Sequence, residues 1–473
     1  MQRADRVLKK LSEKISYNYA KRKNEKVLQL MSAKARLQYI YNQQYTDNAS
    51  EQILKCIAES YTVKHEMNKT TVLFYDGFGL DKRGLAQIYL KALLQNNYEV
   101  VYVTRAMKRE DQPQIMSILD QGKTTVLFDN TRKHINKIDW LQKIIATYAF
   151  DTAFLYTTPW DVDGIVAFNS LKEKCVRYQI NLTDHAFWLG INAFDYCIEF
   201  RNYGAAISRD YRRINRECLL ELPYYPIVNK NIEFEGFSFD VSGKKIIFSG
   251  GSIYKTVDAT GTFYSLVDCI LKRNEDTVFV YAGLGKNEFM QRLIEKYPKR
   301  VFQISERKDL ICVMEKSYLY LNTYPISGAL MLQYAAIAGC IPVSLKRSWD
   351  DDATGILINE GLLGEIFEEF DDVAEEIDKL INDENYYIQK KKLLINQVIT
   401  EKEFDKKLKR IIESPKSMIR KGIDPVNTTK YRESYNERIT VDDIADAVIN
   451  KSNICVARYF PGLLTRKIMR KCK

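Results

Sequence analysis

The first 66 residues place apolar positions at helical spacing among many basic ones, with no Gly or Pro, and read as basic amphipathic helices. The period then changes. "TTVLFYDGFG" predicts a buried strand closed by a glycine turn, "DKRGLAQIYLKALLQNN" a helix and "YEVVYVT" a second strand. A β-α-β unit of this kind predicts a parallel sheet. "KTTVLFDN", a helix near 140–147, "DTAFLYTT", "CVRYQINLTD" and "AFDYCIEF" continue the alternation, which closes near "LPYYPIV". The polar stretch "NKNIEFEGFSFDVSGK" predicts a linker. "KKIIFSGG" then restarts the pattern, and "TFYSLVDCILKRN", "TVFVYAGLG", "NEFMQRLIEKYP", "RVFQIS" and "RKDLICVMEKS" carry it on. The expected division is a basic helical extension at 1–66, a Rossmann-like domain at 67–226, a linker at 227–243, a second Rossmann-like domain at 244–412 and a basic helical segment at 413–473.

Two doubly wound α/β domains joined by a linker are expected to face a central cleft, with ligands at the carboxyl ends of the strands. Three glycine turns follow predicted strands: Asp76-Gly77-Phe78-Gly79, Ser249-Gly250-Gly251-Ser252 and Ser327-Gly328. Each could serve plain chain reversal; together they become candidates to line that cleft. The third lies in "LNTYPISGALMLQYAAIAGCIPVSL" (321–345), read as a strand ending at Pro325, a small-residue turn, an apolar helix stopped at Gly339 and a short strand. From Asn322 through Trp349 there is no Asp, Glu or His.

Composition narrows the classes. At 473 residues, 46% apolar and 28% charged, the chain is long enough for two or three domains with real cores. The net charge of +10 permits an anionic partner, or only a basic solubility surface. Nine scattered cysteines without a C-x-x-C pair read as reduced packing residues, and three histidines make a His-based metal site a poor expectation. The N-terminus lacks the apolar segment of a signal peptide, and no run approaches the roughly 20 apolar residues of a membrane helix. The expectation is a cytoplasmic protein, at most peripheral on the inner face of the cell membrane. No nucleic-acid partner is expected.

Gly250 and Gly251 allow a ligand to approach backbone closely, and Lys255 follows shortly after. A glycine turn plus a lysine near a helix start can hold a diphosphate, although a surface lysine after a turn is the plain alternative. "IYK" with its following helix, "TVFVYAG" and the 321–345 stretch resemble the donor half of O-GlcNAc transferase and of bacterial cytosolic protein N-glycosyltransferases. More broadly they resemble GT-B glycosyltransferases, above all those of bacterial surface-polysaccharide clusters. "AFDYCIEFRNYGAAISRDYRRINRECLLELPYYP" is similar to the end of that family's first domain. The resemblance covers about 70–395 and implies two Rossmann-like domains and transfer of a sugar from a nucleotide-sugar donor, UDP-linked, as substrate rather than cofactor.

By that resemblance Lys255 grips the donor diphosphate, and Ser327, Gly328 and Ala329 meet it at a helix start. Such a turn needs no acid, because backbone N–H groups meet the phosphates. Residues 305–309, with Arg307, fall where the family holds the base. Tyr334, beside Gln333, stands where many members place a ribose-binding Glu. The paired-glutamate pattern of retaining members is absent, which favours inversion. Inversion needs a base. His185 is the only histidine at the cleft by this layout; Asp184 and Asp81 are rivals, and His185 could instead merely pack its loop. Gly77, Gly79 and Arg201 are expected on the acceptor side, and Arg209 could also meet a phosphate. Asp350, Asp351 and Asp352 are read as contacts to sugar hydroxyls or a helix cap, with no metal required. The expected acceptor is a glycan or lipid-linked glycan of surface polysaccharide. Alternatives are a protein O- or N-glycosyltransferase, for which no peptide-binding repeat is visible in 1–66, a sugar-nucleotide epimerase, or a non-catalytic sugar-nucleotide-binding protein. The tail from Cys455 combines Phe460, Leu463, Leu464, Ile468 and Met469 with Arg458, Arg466, Lys467, Arg470, Lys471 and Lys473. It reads as a packed final helix or as a weak anchor to an anionic membrane surface.

Overall fold

The computed structural model describes residues 3–81, 84–228, 231–347, 365–394 and 397–471; Asp350, Asp351 and Asp352 lie outside these. The chain divides into two compact units, one of 1–222 with 401–473, the other of 223–400.

The first unit opens with helices α1 (Arg3–Ala20), α2 (Asn24–Tyr41) and α3 (Asn48–Ala58). Then come β1 (Thr71–Asp76), α4 (Gly84–Gln95), β2 (Glu99–Thr104), α5 (Pro113–Leu119), β3 (Thr124–Phe128), α6 (His134–Thr147), β4 (Thr152–Tyr156), α7 (Val162–Ser170), β5 (Val176–Ile180), β6 (Tyr196–Glu199), α8 (Asn202–Asp210) and β7 (Leu219–Glu221). Among the described residues the strands form one seven-stranded parallel sheet in the order β3-β2-β1-β4-β5-β6-β7. All six residues of β1 are buried, as expected of a strand covered on both faces. Its register pairs Val72 with Val100 on one side and with Thr152 on the other.

The second unit contains β8 (Lys245–Gly250), α9 (Thr262–Arg273), β9 (Thr277–Ala282), α10 (Glu288–Lys296), β10 (Val301–Ile304), α11 (Leu310–Lys316), β11 (Leu319–Leu321), α12 (Ala329–Ile337), β12 (Ile341–Leu345), β13 (Glu365–Phe367), α13 (Phe370–Asn382) and α14 (Glu384–Leu393). Its described strands form a six-stranded parallel sheet, β10-β9-β8-β11-β12-β13. The strand expected to run to Pro325 ends at Leu321, and the residues beyond it form an irregular turn. Gly339 closes α12 with φ +69, a left-handed conformation that favours glycine.

The chain then returns to the first unit as α15 (Glu401–Glu413), α16 (Thr429–Arg438), α17 (Val441–Val448) and α18 (Pro461–Lys471). The expected end of the second domain at 412 therefore differs from the break at 401. The reason is apolar: Phe404 on α15 is fully buried and meets Tyr89 of α4 edge-on at 5.1 Å. The expected linker also behaves differently. Residues 231–240 dock on the second unit through Phe239, stacked on Phe302 at 3.7 Å, and through Cys312, which donates to the Ile232 carbonyl.

The N-terminal helices are part of the first unit's core rather than an appendage. Val27, Leu28, Leu30, Met31, Ala33 and Leu37 of α2 are buried, in one cluster with Leu11 of α1, Ile138 of α6, Ile165 of α7 and Val448 of α17. Even Lys34 is buried, paired with Asp47 at 2.5 Å. In α18, Leu463 joins the same cluster, while Lys467 and Arg470 pair with Asp446 and Arg466 with Asp442, both on α17. Three of the tail's cations thus share two carboxylates within the protein; Ile468 and Met469 stay exposed. Deletion after Phe460 is expected to lower stability by about 2 kcal/mol, the worth of burying one leucine. Full-length and shortened protein should differ little in co-sedimentation with anionic liposomes. Strong, salt-sensitive partitioning of the full-length protein alone would restore the anchor reading.

Candidate functional site

In each sheet the strand order reverses at one place, and such reversals open ligand-binding crevices at the carboxyl ends of the strands. In the second unit the reversal lies between β8 and β11. The loops leaving those strands carry Gly250, Gly251 and Lys255 on one side and Ser327, Gly328 and Ala329 on the other. The two loops are joined: the Ile326 N–H donates to the Lys255 carbonyl at 3.2 Å, and Lys255 Nζ lies 3.4 Å from the Ser327 carbonyl.

Each loop has its own framework. Gly251, at φ +132, donates its N–H to the Ala282 carbonyl at 2.9 Å and accepts from the Tyr281 hydroxyl at 3.0 Å. A Cβ on Gly283 would lie 2.1 Å from the Gly251 carbonyl oxygen, so these backbones approach as only glycine permits. Past β11, Asn322 Oδ1 accepts from the N–H groups of Thr323 (3.0 Å) and Gly328 (2.9 Å), and its Nδ2 donates to Ser327 Oγ at 2.9 Å. Thr323 Oγ1 donates to the Ile326 carbonyl at 2.7 Å. Asn322, Thr323 and Gly283 organise the site, and none was singled out from the sequence. The "YAGLG" glycine and the polar pair ending "YLNT" were the available signals.

Lys255 is half-buried, and among the described residues no carboxylate pairs with it. Burial pushes its pKa below the ordinary lysine value. Beside it α12 begins, with Gly328 as its cap residue. A cation without a counter-charge beside a helix N-terminus is an arrangement completed by an anion.

Other donor-side candidates are engaged elsewhere. Arg307 clamps Asp309 with two bonds (2.7 and 2.6 Å) and donates to the Gly236 carbonyl at 2.8 Å, fastening 231–240 to the second unit. The Tyr334 hydroxyl donates to the Ile227 carbonyl at 2.9 Å, and Gln333 to that of Tyr224 at 2.7 Å. These two side chains hold the segment that enters the unit.

In the first unit the reversal lies between β1 and β4. Gly77 and Gly79 follow β1 and are there for packing. A Cβ on Gly77 would sit 2.5 Å from Asp161 Oδ2, and one on Gly79, at φ +62, 2.6 Å from the Ala106 nitrogen. Asp81 caps α5 from outside, accepting from the N–H groups of Gln114 (2.9 Å) and Ile115 (3.1 Å).

The loop after β5 carries Asp184 and His185. Arg201, expected on the acceptor side, is buried and clamps Asp184 through Nε and a terminal nitrogen. Burial alone would raise Asp184's pKa, but Arg201 holds it far below the ordinary carboxylate range, so Asp184 stays ionised and is no proton acceptor near neutrality. Its other contact is His185 Nδ1, at 3.3 Å from Oδ1. The imidazole is about one-third exposed, and among the described residues Nε2 has no hydrogen-bond partner. This is the arrangement in which a carboxylate orients an imidazole. Arg209, in contrast, is tied to Asp210 and the Ile423 carbonyl.

The N-terminal helices hold this loop. Asn42, just past α2, donates to the His185 carbonyl (3.2 Å) and accepts from the Phe187 N–H (2.9 Å). Glu51 on α3 accepts from the Gly190 N–H at 2.6 Å. Burial raises the Glu51 carboxyl to about 7. The folded protein thus keeps a proton that an unfolded Glu releases near pH 4.3. Its contribution to stability is complete below that pH and is lost as pH rises through about 7. Glu51→Gln should therefore be more stable than wild type at pH 8, by on the order of 2 kcal/mol, with the gap closing toward pH 5. Parallel melting-temperature profiles from pH 5 to 8 would contradict this.

The sequence reading also missed a buried ionic network after β2 and β4. Arg105 pairs with Asp161 (3.1 Å) and Asp163 (2.8 Å), and His134 Nδ1 lies 2.6 Å from Asp163 Oδ1. Burial opposes a charged His134, but Asp163 outweighs it and raises the pKa. The two aspartates of "PWDVDG" were its signal. Among the described residues no group of three or more His, Cys, Asp or Glu side chains is placed to hold a metal ion, no helix is long and apolar enough to cross a membrane, and the eight cysteines are free.

No family model matches the sequence, and no curated protein matches it. Solved structures do resemble it. An O-GlcNAc transferase mutant of Thermobaculum terrenum superposes with a TM-score of 0.52 at 12% identity, covering 87% of this chain and 79% of that one. Anabaena HepE, solved with UDP and glucose, gives 0.51 at 13% identity, over 73% of this chain and 100% of that one. A UDP-N-acetylglucosamine 2-epimerase gives 0.50 at 13%, over 76% and 100%. With its two parallel α/β sheets and these neighbours, the chain has the GT-B fold, two Rossmann-like domains with helical additions at both ends.

Proposed function

We propose that this protein is a glycosyltransferase that moves a sugar from a UDP-linked donor to an acceptor hydroxyl with inversion. The observation that carries the reading is Lys255: a half-buried cation, unpaired among the described residues, bonded to the loop that opens α12 at the reversal of the second sheet. HepE, of the same fold, was solved with UDP and glucose, which supports a nucleotide-sugar donor.

In this reading the acceptor oxygen attacks the anomeric carbon and its proton passes to His185 Nε2. The bond from that carbon to the diphosphate oxygen breaks, and UDP leaves with the electron pair. Lys255 and the start of α12 stabilise the charge developing on the diphosphate, the service a divalent cation gives elsewhere. A lipid-linked glycan of surface polysaccharide is the acceptor we favour, and a peripheral cytoplasmic location fits it.

The epimerase neighbour supports a second reading, reaction of the UDP-sugar without an acceptor. Thermal-shift titration with UDP and a panel of UDP-sugars tests the donor, since a ligand of the folded state raises the melting temperature by mass action. UDP release that depends on added acceptor then separates transfer from epimerisation. No shift with any nucleotide would remove both readings.

A further inference from the structure

Arg36, on α2, carries a charge that the described residues leave unanswered. No hydrogen bond or ion pair reaches its guanidinium, and its Nε is buried without a partner. The guanidinium stacks 4.3 Å over the ring of Trp160, which Tyr39 supports edge-on at 5.5 Å. Burial lowers the Arg36 pKa to about 10; nearby Arg105 adds to this and Asp161 opposes it. Asp161 is within electrostatic reach but already serves Tyr75, Thr157, the Gly164 N–H and Arg105.

A second orphan lies in the same turn. Thr158 is 9% exposed, and its Oγ1 is buried without a partner. The turn is closed by the Asp161 N–H donating to the Thr158 carbonyl at 3.1 Å, with Trp160 inside it. It follows β4, at the reversal of the first sheet, where ligands of such sheets bind. The neighbouring His185 loop is bonded to it, Leu189 N–H to the Pro159 carbonyl at 3.0 Å.

An unpaired, desolvated cation costs stability that an apolar side chain of similar size would not. It becomes favourable when an anion arrives, and a stacked guanidinium is pre-organised for two parallel bonds to one. A guanidinium and a hydroxyl suit a phosphoryl group, which brings three acceptor oxygens and up to two charges, better than a carboxylate. We propose that Arg36, with Thr158, binds a phosphoryl group carried by the acceptor, an assignment that rests on the glycosyl-transfer reading above.

Calorimetry on the full chain saturated with UDP tests it, with inorganic phosphate and butyl phosphate as probes and wild type, Arg36→Met, Arg36→Lys and Thr158→Val as proteins. Butyl phosphate should bind wild type more tightly than inorganic phosphate. Arg36→Met should weaken it by about tenfold or more, the worth of a charge-assisted bond, with Arg36→Lys intermediate and Thr158→Val a smaller loss. Without ligand, Arg36→Met should melt higher than wild type. Equal phosphate binding by Arg36→Met and wild type, or a lower melting temperature for the unliganded variant, overturns the site. Equal Arg36-dependent affinity for the two probes overturns its assignment to the acceptor. The preceding UDP titration is read separately: failure of UDP to bind while phosphate binding still depends on Arg36 removes the donor reading and supports the anion site.

Discussion

Lys255→Ala should reduce turnover by about 10²–10³-fold or more, the loss found when one preorganised group opposite a developing negative charge is removed. The protein should stay folded, with an unchanged or higher melting temperature. The reason is the same as for the function: Lys255 is half-buried, its burial disfavours the charge, and among the described residues the only hydrogen bond of its ammonium is a long one to the Ser327 carbonyl. Alanine removes a cost from the empty protein and a benefit from the occupied one. UDP should bind the variant more weakly, while the first unit's response to phosphate should not change. Lys255→Arg keeps the charge but cannot place it at the same point, so partial turnover is expected. Near-normal turnover by Lys255→Ala would end the diphosphate role and with it the strongest support for a nucleotide-sugar donor. A folded but inactive variant with unaltered UDP affinity would move Lys255 from binding to the chemical step alone.

Much of the fold was legible because parallel strands buried on both faces are apolar along their whole length. β1 and β9 have every residue buried, and such runs separated by helical patterns admit few other arrangements. What stayed illegible was decided by distant partners. Nothing near Arg201 in the chain shows that it would be taken by Asp184 rather than by a substrate, whereas Arg307 is taken by Asp309, a near neighbour in the chain that the sequence did offer. The N-terminal helices look amphipathic and basic, yet α2 is enclosed by α1, α6, α17 and neighbouring elements, so a lysine on it is buried and its last turn steadies the His185 loop. The glycine turns illustrate both outcomes. Gly77 and Gly79 answer to packing against Asp161 and Ala106, whereas Gly251 brings backbone to the loop that carries Lys255. Local pattern cannot separate these, because a close backbone approach looks the same in sequence whether the neighbour is protein or ligand.

His185→Ala should lower turnover by about 10²–10⁴-fold, the usual worth of a general base, and leave UDP affinity unchanged. The prediction separates His185 from Asp184, although the two are adjacent and in contact. Asp184→Ala breaks the buried pair with Arg201, a change worth about 3–5 kcal/mol of stability. It should therefore lower the melting temperature as well as turnover, whereas His185→Ala touches only turnover. The pH dependence gives an independent check. Asp184's pKa is depressed in the folded state, so its stabilising contribution is present above the unfolded value near pH 4 and is lost as pH falls through the lower folded value. Wild type should lose stability steeply in acid, and Asp184→Ala, already destabilised, should lose less. Full turnover by His185→Ala would leave the acceptor proton to another group. Asp81 would then be first in line: its Oδ1 accepts two backbone N–H groups of α5, which ties the carboxylate to that helix, and its Oδ2 takes no part in the cap. What separates the two candidates is therefore orientation: Asp81 is held through Oδ1 to the start of α5, whereas Asp184 holds the His185 imidazole by Nδ1 and, among the described residues, Nε2 has no partner.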